Sequence, residues 1–190
     1  GAVLGLLGFG GWKYWTEQQV VYQAAASDAY VKVTEILSSE KKDGLKESAE
    51  AVKKDFPDSS YAILSAFQLA KLAIENKDLD AAKSELQWVV DTHPTNELTP
   101  VAKIRLARVL MAQDNAKQAL PLVSLEETSG YYALASLVKG DALIALERKS
   151  EALDAYKAAF ADKTIVARNP TLQVKIDQLS QFAAVTEESK

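Results

Sequence analysis

Three segments of this sequence repeat one pattern of small residues, and the repeat restricts the possible folds more than any other feature of the chain. The segments begin at Ser65, Ile104 and Val138. Successive copies of the first small position are 37 and then 33 residues apart, and the second small position shows the same two spacings. The first position holds Ala70, Ala107 and Gly140, and the second holds Ala82, Ala119 and Ala152. A period of this length predicts a supersecondary unit that stacks on its neighbours.

Each repeat has the periodicity of two helices joined by a polar turn. Apolar residues recur at steps of three and four, as in Phe67, Ala70 and Ile74, and this spacing is typical of one helix face. The two small residues of a repeat are twelve positions apart, so that each helix of a pair carries one and the helices can cross closely. Turns are predicted at 76–78, 113–115 and 148–150. The sequence predicts an all-α chain with helices at approximately 1–38, 43–55, 59–76, 78–92, 98–113, 115–126, 130–147, 149–161 and 170–182.

The pairs resemble the tetratricopeptide repeat, a helix-turn-helix unit of about 34 residues. Leu86 and Pro94 carry the resemblance in the first unit, and Tyr156 and Ala159 carry it in the third. A degenerate unit is expected before them, from about residue 26 to residue 57. Residues 169–182 are expected to close the stack, because a solenoid needs a cap over its last apolar face. Residues 16–190 are therefore predicted to form a helical-hairpin solenoid of about three to four repeats with a capping helix.

Composition and charge exclude several classes of function. The 22 Lys and Arg residues against 26 Asp and Glu give a net charge of −4, which lacks the basic footprint of nucleic-acid binding. Without cysteine, the chain has no disulfide, thiolate catalysis or cysteine metal site. Its single histidine, His93, precedes Pro94 at a predicted helix end, where a solvated residue is more common than a base or ligand. No phosphate-loop, H-E-x-x-H or G-x-S-x-G motif occurs, and we expect neither an enzyme nor a cofactor, metal or small-molecule substrate.

The first fifteen residues, GAVLGLLGFGGWKYW, have the composition of one end of a membrane helix. Five glycines among the first eleven residues would destabilise a helix in water, whereas membrane helices tolerate glycine better. Trp12, Lys13, Tyr14 and Trp15 then supply the aromatic and basic side chains of a membrane interface. Twelve helical residues cover only about 18 Å of a hydrocarbon core of about 30 Å. Residues 1–15 are predicted to be the C-terminal part of a truncated transmembrane helix; a buried helix of a soluble domain and a cleavable signal peptide are the alternatives.

The order of these features resembles the YfgM family of single-pass inner-membrane tetratricopeptide proteins, described as ancillary subunits of the bacterial SecYEG translocon. The resemblance covers essentially the whole chain and is most specific in GWKYW, in IRLARVLMAQ from Ile104 and in KGDAL from Lys139. It implies that the repeat domain lies in the periplasm, beside the translocon exit. It also implies association with PpiD, a membrane-anchored chaperone related to peptidyl-prolyl isomerases, and it brings no catalytic residues.

In tetratricopeptide repeats the first helix of each pair lines a concave groove, and the repeat register maps this surface onto four residues of each unit. These residues are Leu64, Phe67, Lys71 and Ile74, then Val101, Ile104, Arg108 and Met111, and finally Leu134, Leu137, Asp141 and Ile144. The subfamily that clamps carboxylates needs Lys and Asn where this chain has Phe67 and Lys71. An apolar peptide or an amphipathic helix is therefore the expected ligand. Alternatively, a terminal helix, at 16–38 or 170–182, covers these residues.

Two hypotheses for the function follow. In the first, the chain is a membrane-anchored interaction module that docks a PpiD-like chaperone or nascent secretory chains at the translocon. In the second, it is a structural scaffold in an envelope assembly complex and binds no client.

Overall fold

A computed structural model describes the backbone of residues 2–40 and 42–188 and the side chains of residues 12–40 and 42–183. The described residues form ten helices and no strand, which confirms the all-α prediction. The helices are α1 (Ala2–Ser38), α2 (Leu45–Asp55), α3 (Ser60–Glu75), α4 (Leu79–Thr92), α5 (Thr99–Ala112), α6 (Ala116–Leu122), α7 (Tyr132–Ala145), α8 (Lys149–Phe160), α9 (Lys163–Arg168) and α10 (Leu172–Glu188).

Three elements differ from the prediction. The helix α6 ends four residues early, directly after Pro121, because a proline has no N–H to donate to the preceding turn. The short helix α9 was not predicted; it begins where the Asp162 carboxylate accepts hydrogen bonds from the backbone N–H groups of Thr164 (2.7 Å) and Ile165 (3.3 Å), a typical N-cap. The closing helix α10 begins near its predicted start and continues to Glu188.

The turns inside the three repeats share one backbone conformation. Lys77, Asp114 and Glu147 have φ angles of 61°, 59° and 60°, at the same spacings of 37 and 33 residues as the small positions. A left-handed residue after a helix lets the last carbonyl groups accept N–H groups from the turn. The N–H of Asn115 donates to the carbonyl of Leu110 at 2.8 Å, and the N–H of Arg148 donates to that of Leu143 at 2.9 Å. The third turn therefore lies at residues 146–148, slightly before its predicted position.

The chain divides into two compact units, Gly1–Asn76 and Lys77–Lys190. In the first unit α1, α2 and α3 pack around a small apolar core. Two ring contacts attach the C-terminal half of α1, since Tyr22 meets Phe56 at 5.5 Å between ring centroids and Tyr30 meets Tyr61 at 5.6 Å. The core of this unit includes the cluster of Val33, Leu45, Ala49, Val52 and Leu69.

The second unit contains α4 to α10, and one of its apolar cores lies near the C-terminus. There α7 and α8 form the most closely packed helix pair, and α9 and α10 pack beside α8. The core residues at this end include Leu143, Ala152, Tyr156, Ile165, Leu172 and Ile176. All six small residues of the repeat pattern are buried, and within the second unit this suits the close packing of α5 with α6 and of α7 with α8. These features confirm a tetratricopeptide-like stack, and α10 covers its last apolar face.

Candidate interaction site

The twelve residues predicted to line a groove differ in exposure. Phe67, Ile104 and Leu137, the second residue of each set, are buried, so that their side chains support the helices. Lys71, Ile74, Arg108 and Ile144 are exposed, and Leu64, Val101, Met111, Leu134 and Asp141 are half-buried. The first set lies in the first unit and the other two sets lie in the second. A continuous groove through all three sets stays a prediction.

Two predicted groove residues, Asp141 and Ile144, line a cleft in the second unit. The cleft has a volume of about 390 Å³ and lies among α7, α8 and α10. Its lining is mainly apolar, with charged groups from each of the three helices. The lining residues are Asp141, Ile144, Lys149, Tyr156, Lys175, Gln178, Leu179 and Phe182. We refer to these eight residues as the C-terminal cleft.

The carboxylate of Asp141 joins all three helices of the C-terminal cleft. Its Oδ1 atom accepts a hydrogen bond from the Tyr156 hydroxyl at 2.7 Å and another from Lys175 Nζ at 2.6 Å. The ammonium group of Lys175 also lies 5.0 Å from the centre of the Tyr156 ring. Burial, followed by the hydrogen bond to Asp141, raises the pKa of the Tyr156 phenol far above its ordinary value. The phenol therefore stays protonated and donates to Asp141.

Gly140 allows Tyr156 to occupy this position. A Cβ atom added to Gly140 would lie 2.9 Å from Cζ of the Tyr156 ring and closer still to Cδ1 and Cε1. The ring is almost completely buried, so it has little room to move away. A residue without a side chain is therefore needed on α7 where α8 places its tyrosine.

At the other side of the C-terminal cleft, a cation lies against an aromatic ring. Lys149 Nζ is 4.0 Å from the centre of the Phe182 ring, within the range of a cation–π interaction. Both residues are exposed. Ile144 and Phe182, with exposed fractions of 39% and 46%, give the cleft an apolar surface that faces water.

The predicted membrane interface lies on α1. Trp12, Tyr14 and Trp15 have exposed fractions of 61%, 65% and 59%, and Lys13 Nζ lies 3.8 Å from a carboxylate oxygen of Glu17. Gly1 and the side chains of the next ten residues are outside the described part of the chain. Among the described residues, no helix is both long enough and apolar enough to cross a membrane. The membrane anchor stays a prediction.

His93 has a structural environment at the end of α4. Its ring meets the Trp88 ring edge-on, with 5.1 Å between the centroids. Its carbonyl oxygen accepts a hydrogen bond from the Thr99 hydroxyl, which links the end of α4 to the start of α5. The side chain is half-buried, more enclosed than the solvated position expected from the sequence.

The comparison with protein families agrees with the repeat geometry. The model of a tetratricopeptide repeat-like domain matches residues 1–181. The chain belongs to this family. No solved structure matches it significantly.

Curated relatives of this tetratricopeptide repeat-like protein share one name, "Ancillary SecYEG translocon subunit". The protein from Escherichia coli (strain K12) is 29% identical over 95% of this chain and 86% of its own length. That from Aggregatibacter actinomycetemcomitans is 25% identical over 93% of this chain and 86% of its own length. That from Haemophilus influenzae is 25% identical over 83% of this chain and 76% of its own length. These relatives confirm the resemblance to the YfgM family.

It was not predicted from the sequence that residues of α10 line the C-terminal cleft. A signal for them exists, because they contact residues about one repeat length earlier in the chain. Asp141 contacts Lys175 at a separation of 34 residues, and Lys149 contacts Phe182 at a separation of 33. The same period relates Gln113 to Asp80, whose side chains form a hydrogen bond of 2.8 Å. Residues one repeat apart lie on adjacent units of a solenoid. A search of the sequence for oppositely charged or otherwise complementary residues at this spacing would therefore find such pairs.

Proposed function

We propose that this protein is a non-enzymatic interaction subunit that works at the SecYEG translocon of the bacterial inner membrane. The observation that carries the proposal is the similarity to proteins named ancillary SecYEG translocon subunit, which covers 95% of this chain for the Escherichia coli relative. The repeat fold supports it, because stacked helix pairs present extended surfaces to protein partners.

Residues 1–15 anchor the protein in the membrane, and the repeat domain of residues 16–190 lies in the periplasm. The exposed rings of Trp12, Tyr14 and Trp15 support this arrangement, because amphipathic aromatic side chains favour the headgroup level of a bilayer. The tether keeps the repeat domain close to membrane partners and raises its effective concentration there.

The partners of the repeat domain are a PpiD-like membrane-anchored chaperone and secretory chains that emerge from the translocon. The exposed first-helix residues support such docking, since Lys71, Ile74, Arg108 and Ile144 combine apolar and basic groups on the predicted surface. Apolar peptides and amphipathic helices bind to surfaces of this composition.

Photocrosslinking in inner-membrane vesicles tests the translocon proposal. A photoreactive amino acid replaces Lys71 or Arg108 in the full-length protein, and matched control positions are Ser84 and Lys117, which are exposed on α4 and α6. We expect adducts with SecYEG subunits or the chaperone at higher yield from the first-helix positions than from the controls. Equal yields would contradict the role of the first helices, and the absence of translocon adducts from all four positions would overturn the proposal.

A scaffold without client binding is the second candidate, favoured by the burial of Phe67, Ile104 and Leu137. Vesicles that contain a stalled secretory chain distinguish it from client docking. Adducts with the stalled chain support client docking. Adducts with the same fixed partners, whether or not a stalled chain is present, support the scaffold and contradict client docking.

A further inference from the structure

We infer that the C-terminal cleft binds a protein segment that presents a large apolar side chain next to a carboxylate. The inference rests on the proposed interaction function and names the chemistry of the partner segment. Three features of the cleft carry it: its apolar opening, its internal charge balance and the position of Lys149.

The opening of the C-terminal cleft suits a large apolar side chain. Its volume of about 390 Å³ lies in the range of about 300–1,000 Å³ that is typical of ligand sites. Ile144 and Phe182 expose a substantial part of their apolar surface at the cleft, and the half-buried Leu179 lies beside them. Removal of such surface from water is the main favourable contribution to docking.

The charges of the C-terminal cleft select an acidic neighbour for that side chain. The carboxylate of Asp141 already accepts hydrogen bonds from Tyr156 and Lys175, so it is occupied within the protein. Within the described part of the chain, the ammonium group of Lys149 contacts the Phe182 ring and has no carboxylate within ion-pair distance. One acidic residue against two lysines gives the lining a formal charge of +1, and a carboxylate is the complementary group.

The position of Lys149 in its helix does not explain why the residue is basic. Lys149 is the first residue of α8, where the helix dipole favours a negative charge. A glutamate there would suit the isolated helix better than the lysine does. The helix dipole therefore does not account for the lysine, whose ammonium group contacts the Phe182 ring and can also pair with a ligand carboxylate.

Binding of a defined probe to the full-length protein in lipid nanodiscs tests the inference. The probe is a fluorescent hexapeptide with blocked ends, in which a Leu-Phe pair lies between glutamates, and binding is followed by anisotropy. One control peptide has lysines in place of the glutamates, and a second has serines in place of the Leu-Phe pair. We expect the first peptide to bind at least about tenfold more tightly than either control. Equal affinities for all three peptides, or no binding of the first, would overturn the inference.

Two charge variants show whether the peptide occupies the C-terminal cleft. Lys149→Glu is expected to weaken binding of the glutamate peptide by about tenfold, because residue 149 then repels the peptide carboxylates. The same variant should strengthen binding of the lysine peptide, because residue 149 then attracts its ammonium groups. The matched control, Lys157→Glu, makes the same charge change at an exposed residue of α8 outside the cleft and should leave both affinities unchanged. Equal effects of the two variants would show general electrostatic attraction and contradict the site.

Ile144→Ser provides a second variant for the apolar part of the C-terminal cleft. We expect a loss of affinity for the glutamate peptide with only a small decrease in thermal midpoint, because 39% of the side chain is exposed. Anionic vesicles of phosphatidylglycerol test a lipid as the occupant. If the vesicles bind through Lys149 and the peptide does not, the inference is wrong. Translocon crosslinks that persist in Lys149→Glu separate failure of this inference from failure of the proposed function.

Discussion

The helix pairs α5–α6 and α7–α8 are two copies of one repeat that place different residues at equivalent positions. In α7–α8, Gly140 lies against the buried ring of Tyr156. In the pair α5–α6, the equivalent residues 33 positions earlier are Ala107 on α5 and Val123, which directly follows α6, and both are buried. The copy with the smaller residue at the first position has the larger residue at the second. The sizes at the two positions are thus complementary, as expected of a close-packed interior.

The two pairs also differ at the residue that follows the small position. In α7 this residue is Asp141, which binds Tyr156 and Lys175 and so connects α10 to the repeat. In α5 it is Arg108, which is exposed. The same position therefore holds the closing helix in the last pair and faces solvent in the pair before it.

The largest expected effect on stability comes from removal of the Tyr156 ring on α8. Tyr156→Ala should lower the free energy of unfolding by about 3–5 kcal/mol, because a large buried aromatic side chain leaves a cavity. The equivalent change in the other pair, Val123→Ala, should cost about 2 kcal/mol, since it removes only two buried methyl groups. Urea denaturation followed by circular dichroism measures both. Equal costs would contradict the different packing of the two pairs.

The next largest effect on stability is expected from changes to the complementary sizes of residues 140 and 156. Gly140→Ala should cost about 1–2 kcal/mol, because the clash with Tyr156 outweighs the better helix propensity of alanine. The double variant Gly140→Ala with Tyr156→Val places the residues of α5–α6 in α7–α8. Its cost should be smaller than the sum of the single costs by about 1 kcal/mol. Additive costs in a double-mutant cycle would show that the two positions are not coupled.

The smallest effect on stability is expected at the position that holds Asp141 in α7 and Arg108 in α5. Asp141→Asn should lower the free energy of unfolding by about 1 kcal/mol, because Lys175 loses a partially exposed ion pair. Arg108→Gln, the matched change at the equivalent position of α5, should change stability by less than about 0.5 kcal/mol. Hydrogen exchange of the α10 amides should increase in Asp141→Asn and stay unchanged in Arg108→Gln. An unchanged α10 in both variants would contradict the connection through Asp141.

The helix pairs could be predicted from the sequence because their signals are local. Apolar residues at steps of three and four, with small residues at Ala107 and Ala119, define two helices and a turn without knowledge of the rest of the chain. The C-terminal cleft could not be predicted in the same way. Its contacts join Asp141 to Lys175 and Lys149 to Phe182, and they depend on how α10 packs against the preceding pair. The exposure of the groove residues could not be predicted from the repeat register either. Ile104 and Arg108 lie four residues apart on one face of α5, yet Ile104 is buried and Arg108 is exposed.

Co-purification with SecYEG tests the central functional claim most directly. The full-length protein, tagged and expressed at its natural level, is extracted from membranes in a mild detergent, and SecY in the eluate is quantified. A single-pass inner-membrane protein with no role in translocation, carrying the same tag, is the control. Our account predicts that SecY is clearly enriched over the control. Recovery of the folded protein with no more SecY than the control would contradict it.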